Sequence, residues 1–412
     1  MIEVLTRGNL FEKAQKAFDS EINMKILIST DFYTHNLGGV TTSVIGLSAG
    51  LRSLGHEVRI LTLSDNNTST HEGDVYSIRS FSAEYSPDMR MSLAISDPLL
   101  KELSEWHPDI IHVQSEGSAL LFARRIQRHC HIPLIMTCHT DYAYFVFGEN
   151  RDKALAKAIA IVSAAAIYVR AEKILVPSKK ALRFPFLQTF KDRLLVLPNG
   201  IELEKHDQHL SDPEREELRS LLGIRKDKKV LVAITRLSKE KNIEELIEFF
   251  PALLKKVPEA LLLIVGSGPD EDNLKNLAVK NKLQGKVLFA GRVPADKVWR
   301  YYAIGDLFVS ASMFELHSMS YLEALAQSLP LVCHEDEALD GVLIDGYNGF
   351  VYNTCEEFTD SIARILHNDE LRKKMADASY ANAKEFSSES FASNALKIYQ
   401  DVIEEWNKGH KK

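Results

Sequence analysis

The sequence has few cysteines and no long apolar run. These two absences argue against a disulfide-rich secreted protein and against a membrane-spanning one. Four cysteines among 412 residues are too few and too scattered for a disulfide framework, which favours a reducing cytoplasm. The chain starts with no secretory pattern, and no uncharged apolar stretch reaches the ~20 residues that span a bilayer. The longest such stretch, residues 158–169, predicts a buried helix. We therefore expect a cytoplasmic protein without a membrane-spanning segment.

Metal-binding patterns are also missing. The histidines and cysteines at positions 129–131 and 138–139 have no C-x-x-C spacing, and apolar residues separate the two groups. This arrangement favours small thiols packed beside a strand. Asp270 and Asp272 form a D-x-D pair, but at the start of a predicted helix they favour capping and dipole complementation. The sequence thus predicts no metal.

Acidic residues outnumber basic ones overall, but basic residues are concentrated in one region. The net charge is −7, whereas residues 120–195 carry 13 basic and 5 acidic side chains, a local +8. A basic region in the first half and an acidic second half disfavour nucleic-acid binding. The same asymmetry permits one anionic surface as a partner.

Apolar runs alternate with helical patterns along the whole chain. Short branched runs at 24–30, 58–63, 110–113, 133–137, 174–176 and 194–197 predict buried strands, and a second series follows at 230–234, 261–265, 287–290, 307–310, 331–333 and 350–352. Such alternation predicts an α/β protein with two doubly wound Rossmann-like domains facing a central cleft. The predicted parts are an N-terminal extension (1–23), a first domain (24–202), a second domain (203–386) and a C-terminal helix (387–412) that packs back on the first domain.

The strongest local signal follows the predicted strand 307–310. A helix that opens at Ser318 presents free backbone N–H groups and its positive dipole end, which suit a phosphate. Glu315 stands on the preceding loop, and Glu323 lies within the helix among apolar neighbours. A second signal follows strand 230–234, where Arg236 and Lys241 can hold a diphosphate. A solvated charge run is the alternative for that pair of cations.

In this order, these segments resemble the retaining glycosyltransferases of family four, which have the GT-B fold. The resemblance extends from Met24 over nearly the whole chain. The matching residues in the second half are Arg236, Lys241, the Gly266-Ser267-Gly268-Pro269 turn, residues 287–291, Glu315 and Glu323. The matching residues in the first half are Gly38-Gly39-Val40, His139-Thr140 and Pro198-Asn199-Gly200-Ile201. Within the family, segments 139–142, 320–325 and 340–349 look like the bacterial 1,2-diacylglycerol 3-alpha-glucosyltransferases.

The resemblance implies a role for each matching residue. Glu323 would bind the ribose of a nucleoside diphosphate sugar, Arg236 and Lys241 would grip the diphosphate, and Glu315 would contact the sugar near the reacting carbon. The remaining donor contacts would come from Gly38, Gly39, Gly266, Arg292, Val293 and the backbone amides of Ser318, Met319 and Ser320, while His139 would face the transferred sugar. The family usually has glycine where Ser318 stands. We interpret the serine as an adjustment of the donor site and not as a loss of activity, since serine suits a helix N-terminus.

The resulting expectation is a retaining transferase that moves glucose or galactose from a UDP-sugar to diacylglycerol without a metal. Two alternatives stay open: a transferase that acts on a polysaccharide or soluble glycan, and a catalytically silent GT-B partner protein. A lipid acceptor implies peripheral attachment to the anionic inner face of the cell membrane. The residues predicted to make this contact are Arg124, Arg125, Lys179, Lys180, Phe184 and Phe186, although the phenylalanines could equally belong to the core.

Overall fold

The structure is a computed structural model that describes residues 23–33, 38–83, 86–141, 154–206 and 208–409. Most of the predicted N-terminal extension, residues 1–22, lies outside the described residues, as does Tyr142. The described chain divides into two units. The first contains residues up to 177, 181–197 and the C-terminal helix from 388, and the second contains residues 178–180 and 198–387.

The first unit is built around a sheet of eight described strands, in the order β10-β9-β8-β7-β1-β2-β4-β3. All neighbouring pairs are parallel except β3 with β4. A separate hairpin is formed by β5 and β6. The strands are β1 (Lys25–Ser29), β2 (Glu57–Leu63), β3 (Thr70–Glu72), β4 (Val75–Ile78), β5 (Phe81–Ala83), β6 (Ser86–Met91), β7 (Ile110–Val113), β8 (Leu134–Thr137), β9 (Ile174–Val176) and β10 (Leu194–Val196).

Helices cover this sheet and include the last helix of the chain. The described helices of the first unit are α1 (Gly39–Ser53), α2 (Pro98–Glu105), α3 (Ser118–Cys130), α4 (Ala154–Tyr168) and, at the C-terminus, α13 (Ser388–Gly409). Buried side chains of α13, among them Phe391, Leu396 and Tyr399, pack with Val44 and Leu47 of α1. At the crossing, a Cβ on Gly50 would collide with the Ser388 carbonyl, so the close approach of the two helices requires glycine.

The second unit has a six-stranded parallel sheet in the order β13-β12-β11-β14-β15-β16. Its strands are β11 (Lys229–Ile234), β12 (Ala260–Val265), β13 (Val287–Gly291), β14 (Leu307–Ser310), β15 (Leu331–His334) and β16 (Gly349–Tyr352). Its described helices are α5 (Leu203–His206), α6 (Asp212–Leu221), α7 (Ile243–Lys256), α8 (Glu271–Lys280), α9 (Ala295–Ala303), α10 (Met319–Ala326), α11 (Cys355–Leu366) and α12 (Asp369–Ala383). Apolar clusters lie on both faces of the sheet, which explains the nearly continuous apolar strand sequences.

Both sheets have a point at which the winding direction reverses. In the first unit it lies between β1 and β7, and in the second between β11 and β14. Ligands of doubly wound folds bind outside the carboxyl ends of the strands at such a point. A ligand site is therefore expected at the loops that follow these four strands.

Two details differ from the sequence prediction. Residues 198–202 belong to the second unit, because the Asn199 amide donates to the His317 carbonyl oxygen (3.4 Å) and the Ile201 N–H donates to that of Phe386 (2.9 Å). The prediction that residues 158–169 form a buried helix is wrong for one face of α4. There, Val162 is 70% exposed.

Candidate active site

The reversal point of the second sheet is marked by an ion pair. Lys241 lies in a short 3-10 turn after β11, and Glu315 lies in the loop after β14. Lys241 Nζ is 2.6 Å from Glu315 Oε1, and both side chains are mostly buried. The two residues that the sequence placed in separate motifs thus form one charged centre.

Arg236 occupies the first turn of the loop after β11 and is exposed. Its backbone is held by the neighbouring glycine turn, since the Leu237 N–H donates to the Ser267 carbonyl oxygen (3.1 Å) and the Asp270 N–H donates to that of Leu237 (3.0 Å). A Cβ on Gly266 or Gly268 would collide with the carbonyl of Thr235 or Leu237, respectively. The Gly266-x-Gly268 pattern therefore lets two loops lie against each other, which fixes the position of the arginine.

The loop that carries Glu315 is fastened by a lysine that the sequence assigned to a membrane surface. Lys180 Nζ donates to the Met313 carbonyl oxygen (2.7 Å) and forms an ion pair with Asp336. Asp336 is itself almost fully buried and also accepts from the Ala338 N–H (2.7 Å). Because Lys180 is committed to these contacts, it is not available to a lipid headgroup.

Helix α10 begins directly after this loop, at the position predicted from the sequence. Its N-cap residue, Ser318, has φ −75° and ψ 125°, an extended conformation that any residue adopts. Serine in place of the family's usual glycine therefore introduces no backbone strain. The Ser318 hydroxyl lies 3.0 Å from that of Ser320, and Met319 is buried between them. The first-turn amides of the helix lack intrahelical acceptors, as at any helix N-terminus.

Glu323 lies one turn further along α10 and points to a buried tyrosine. Tyr302 of α9 donates its hydroxyl hydrogen to Glu323 Oε2 (2.9 Å). Burial raises the pKa of Glu323 to about 7, although the Tyr302 hydrogen bond opposes this shift. Glu323 is therefore not a solvated surface residue of the helix. Near neutral pH its carboxyl group takes up and releases a proton.

We expect uridine diphosphate to bind more tightly as the pH rises through 7, because the ionised Glu323 can accept hydrogen bonds from two ribose hydroxyls. In the Glu323→Gln variant the affinity should be lower, and its pH dependence should be only that of the nucleotide. Calorimetric titrations of both proteins between pH 6 and 8.5 measure the difference. Equal affinities at every pH would remove Glu323 from the site.

The raised pKa of Glu323 also predicts an effect on the stability of the protein. A carboxyl pKa that folding raises from 4.5 to about 7 contributes stability at low pH that is lost as the pH rises through 7. The shift corresponds to about 3 kcal/mol. Relative to the native protein, Glu323→Gln should therefore gain stability between pH 4.5 and 8 in denaturant titrations.

The remaining predicted donor residues of this unit follow β13. Arg292 is exposed and Val293 packs partly against the core. Asp270 accepts a hydrogen bond from the Asn273 amide (2.7 Å) and Asp272 lies in the first turn of α8. Within the described ranges, no group of three His, Cys, Asp or Glu side chains could hold a metal ion.

In the first unit, His139 follows β8 and takes part in a polar network that sequence reasoning missed. Its Nε2 lies 2.7 Å from Gln114 Oε1, an atom that only accepts, so Nε2 carries the hydrogen. Gln114 follows β7, and its amide nitrogen lies 3.1 Å from the ring of His112. His112 in turn contacts Thr137 Oγ1 and the Tyr399 hydroxyl, both at 2.7 Å. Tyr399 comes from α13, almost 290 residues away in sequence.

The two histidines of this network are neutral. Burial lowers the pKa of His139 to about 4, and burial together with His139 lowers that of His112 to about 3. A neutral His139 with hydrogen on Nε2 keeps Nδ1 as an acceptor, which could receive a hydrogen bond from a sugar hydroxyl. The only signal in the sequence was the polar pair His112 and Gln114 within and after an apolar strand.

Gln114→Glu should raise the pKa of His139 above its native value of about 4, because a carboxylate would face the Nε2–H group. The acid limb of the pH–rate profile should then move to higher pH. Proton NMR titration of the His139 ring measures the pKa directly, and Gln114→Met, which removes the acceptor without adding charge, is the matched control. A ring that titrates identically in the Gln114→Glu variant would contradict the assigned network.

The predicted loop of Gly38 and Gly39 lies at the N-terminus of α1, and both glycines are exposed. A Cβ on Gly38 would meet no protein atom within 4 Å, so the packing of this unit does not require a glycine there. The proposed reason for these glycines, close approach to a donor phosphate, stays a prediction.

The predicted membrane residues fall into two groups. Phe184 and Phe186 are buried core residues, so the expectation that they enter a bilayer is not supported, and Lys179 forms an exposed ion pair with Asp340 at 2.8 Å. Arg125 is exposed on α3, and Arg124 is half-buried beside it. No described helix is both long and apolar enough to cross a membrane.

Two family models match consecutive parts of the chain. Residues 37–205 match the model described as Glycosyltransferase Family 4, and residues 214–382 match the model described as Glycosyl transferases group 1. The first match covers His112, Gln114 and His139 but not Tyr399, and the second covers Arg236, Lys241, Glu315 and Glu323.

Two curated relatives are aligned over most of their length. The chain is 28% identical to the alpha-monoglucosyldiacylglycerol synthase of Acholeplasma laidlawii, over 93% of this chain and 99% of that protein. It is 29% identical to the enzyme of the same name from Streptococcus pneumoniae, over 92% and 86%.

Solved structures share the fold at low sequence identity. Anabaena HepE, in complex with UDP and glucose, superimposes with a TM-score of 0.69 at 18% identity and is covered completely by 92% of this chain. The catalytic domain of Arabidopsis thaliana starch synthase IV superimposes with a TM-score of 0.74 at 14% identity, over 93% of this chain and all of that domain. These similarities establish two Rossmann-like domains of the GT-B type.

Proposed function

Because the chain belongs to the family-four glycosyltransferases of the GT-B fold, we propose that it transfers a glucose or galactose residue from a UDP-sugar to diacylglycerol, with retention of the anomeric configuration. The observation that carries the donor half of this proposal is the Lys241–Glu315 pair at the reversal point of the second sheet.

The residues around that pair provide what a nucleoside diphosphate sugar requires. Lys241, Arg236 and the first turn of α10 supply positive charge for the diphosphate. Glu323, fixed by Tyr302, would accept hydrogen bonds from the ribose. The structures of Anabaena HepE with UDP and with UDP-glucose support the choice of uridine as the base.

The reaction breaks the bond between the anomeric carbon and the diphosphate oxygen and forms a bond to the acceptor oxygen. The acceptor hydroxyl passes its proton to an oxygen of the departing diphosphate on the same face, and the diphosphate keeps the electron pair of the broken bond and gains negative charge as it leaves. Arg236 and Lys241 would stabilise that charge as it develops. Retention requires the new bond to form on the face from which the diphosphate departs.

In this proposal the two cations and the helix N-terminus replace a divalent metal. The lysine begins in an ion pair with Glu315, and a bound diphosphate would compete for it. Release of Glu315 from Lys241 would leave its carboxylate beside the sugar ring, where the family resemblance places it.

The acceptor half of the proposal is supported by the diacylglycerol synthases of Acholeplasma laidlawii and Streptococcus pneumoniae, which align with more than nine-tenths of this chain. The local +8 charge of residues 120–195 adds a physical reason, since a lipid acceptor requires the enzyme to reach an anionic membrane surface.

One incubation series tests the proposal. The protein is mixed with a panel of nucleotide sugars and a total lipid extract, with and without EDTA, and the products are analysed by mass spectrometry. We expect a hexosyl-diacylglycerol from a UDP-sugar at the same rate with EDTA, and NMR of the product gives the anomeric configuration. Transfer only to a soluble glycan, no transfer from any UDP-sugar, or complete loss of activity with EDTA would contradict the acceptor, the donor or the metal-independent step, respectively.

A further inference from the structure

Helix α4 of the first unit has an exposed apolar face. Leu155, Ile159, Val162 and Val169 are 73%, 45%, 70% and 54% exposed, and their spacing of three, four and seven residues puts them on one side of the helix and its C-terminal turn. Exposure of such a face to water is unfavourable, because the removal of each large apolar side chain from solvent lowers the free energy.

A basic groove of about 460 Å³ lies at the C-terminal end of this face. Val169 and Leu121 contribute apolar side chains to it, and Arg124, Arg125, Arg128 and Arg170 surround them. No acidic side chain in the described part of the chain lines the groove. Among the described residues, none of these arginines forms an ion pair with a carboxylate.

One of the four arginines joins two helices and, in the residues that the structure describes, the other three do not, although Arg128 Nε donates to the Arg124 carbonyl oxygen within α3 (3.2 Å). Arg124 donates to the carbonyl oxygens of Ala166 (3.1 Å) and Ile167 at the end of α4, which joins α3 to α4. Burial lowers the pKa of Arg124, and the positive charges of Arg170 and Arg128 lower it further. Arg125, Arg128 and Arg170 are exposed. The cluster therefore repels itself and would be stabilised by an anion.

We propose that the exposed face of α4 and the arginine groove together form the surface by which this protein docks on an anionic membrane. A guanidinium group binds a phosphate oxygen pair in a bidentate manner, and apolar side chains beside it can enter the interface. Charge of one sign next to an unbroken apolar face fits a phospholipid surface, whereas a protein partner would be expected to meet mixed charges. This inference rests on the proposed lipid acceptor and replaces the surface that the sequence predicted around Phe184.

The test is sedimentation with vesicles of phosphatidylglycerol and phosphatidylcholine, compared with vesicles of phosphatidylcholine alone. Arg125→Glu with Arg128→Glu should weaken binding to the anionic vesicles at least tenfold, since each charge near such a surface contributes about a fivefold change in affinity. Leu155→Ser with Val162→Ser should weaken it independently of salt. Lys101→Glu with Lys191→Glu, a charge-matched pair of exposed lysines in the same unit, should have little effect.

Three outcomes would overturn the inference: no preference of the native protein for anionic vesicles, equal binding by the arginine variant, or a change of oligomeric state in the serine variant without a change in vesicle affinity. Unchanged thermal midpoints and UDP affinities confirm that the variants are folded. Transfer to diacylglycerol in detergent micelles separates the two proposals. A native protein that binds anionic vesicles but glucosylates no lipid in micelles would contradict the acceptor and support the docking surface.

Discussion

Arg236→Ala should lower the rate of sugar transfer by about two to three orders of magnitude, because the guanidinium would face a diphosphate whose charge grows as the glycosidic bond breaks. The fold should be unchanged, since Arg236 is exposed and its side chain makes no hydrogen bond or ion pair with a described residue. Initial rates at saturating UDP-sugar measure the first effect, and thermal unfolding measures the second.

Lys239→Ala is the matched control for this variant. Lys239 is an exposed cation three residues away in the same loop, so its removal changes the local charge equally without removing the proposed diphosphate contact. We expect its rate to stay close to that of the native protein. If Arg236→Ala retained activity within threefold, the arginine would play no part in the reaction.

Glu315→Gln should reduce the transfer rate by about two orders of magnitude while leaving stability nearly unchanged, because the amide oxygen can still accept from Lys241. Lys241→Ala should reduce the rate as strongly and also destabilise the protein. It leaves the Glu315 carboxylate mostly buried and without its cation, at a cost of about 1–3 kcal/mol.

The double variant separates the two roles. Lys241→Ala combined with Glu315→Gln removes the unpaired charge, so thermal stability should recover towards the native value while activity stays low. Because the two residues are in contact, their effects should be far from additive. Activity within threefold of the native protein in both single variants would show that the ion pair is purely structural.

The positions of most strands in both units follow from signals that are local in sequence. A run such as residues 260–265 is buried at every position, because parallel strands are covered on both faces. Strands β3, β4, β5 and β6 were not predicted; in β4 (Val75–Ile78) Ser77 interrupts the apolar run. The three residues of β3 are all exposed, and Phe81 of β5 is 52% exposed, so these edge and hairpin strands lack the apolar run that reveals a central strand.

The candidate site likewise has a part that the sequence predicted and a part that it did not. The positions of Arg236, Lys241, Glu315 and Glu323 after strands or at a helix start could be predicted from the sequence. The residues that hold them could not: Tyr302, which donates to Glu323, comes from a neighbouring helix, and Lys180, which fastens the loop of Glu315 through Met313, comes from a segment that the sequence assigned to the other domain. Such contacts depend on which elements the sheet brings together.

The sequence by itself determined that the chain forms two parallel α/β units, and it predicted phosphate-binding residues at the strand ends of the second. Apolar periodicity and loop composition act over a few residues, so they can be interpreted without knowledge of the rest of the chain. Only the tertiary structure decided which apolar residues are exposed. Phe186 is buried and Val162 is not, although the sequence placed Val162 in a predicted buried helix and Phe186 among the candidate membrane residues. Burial is the sum of contacts with residues distant in sequence, and only the folded chain brings those residues together.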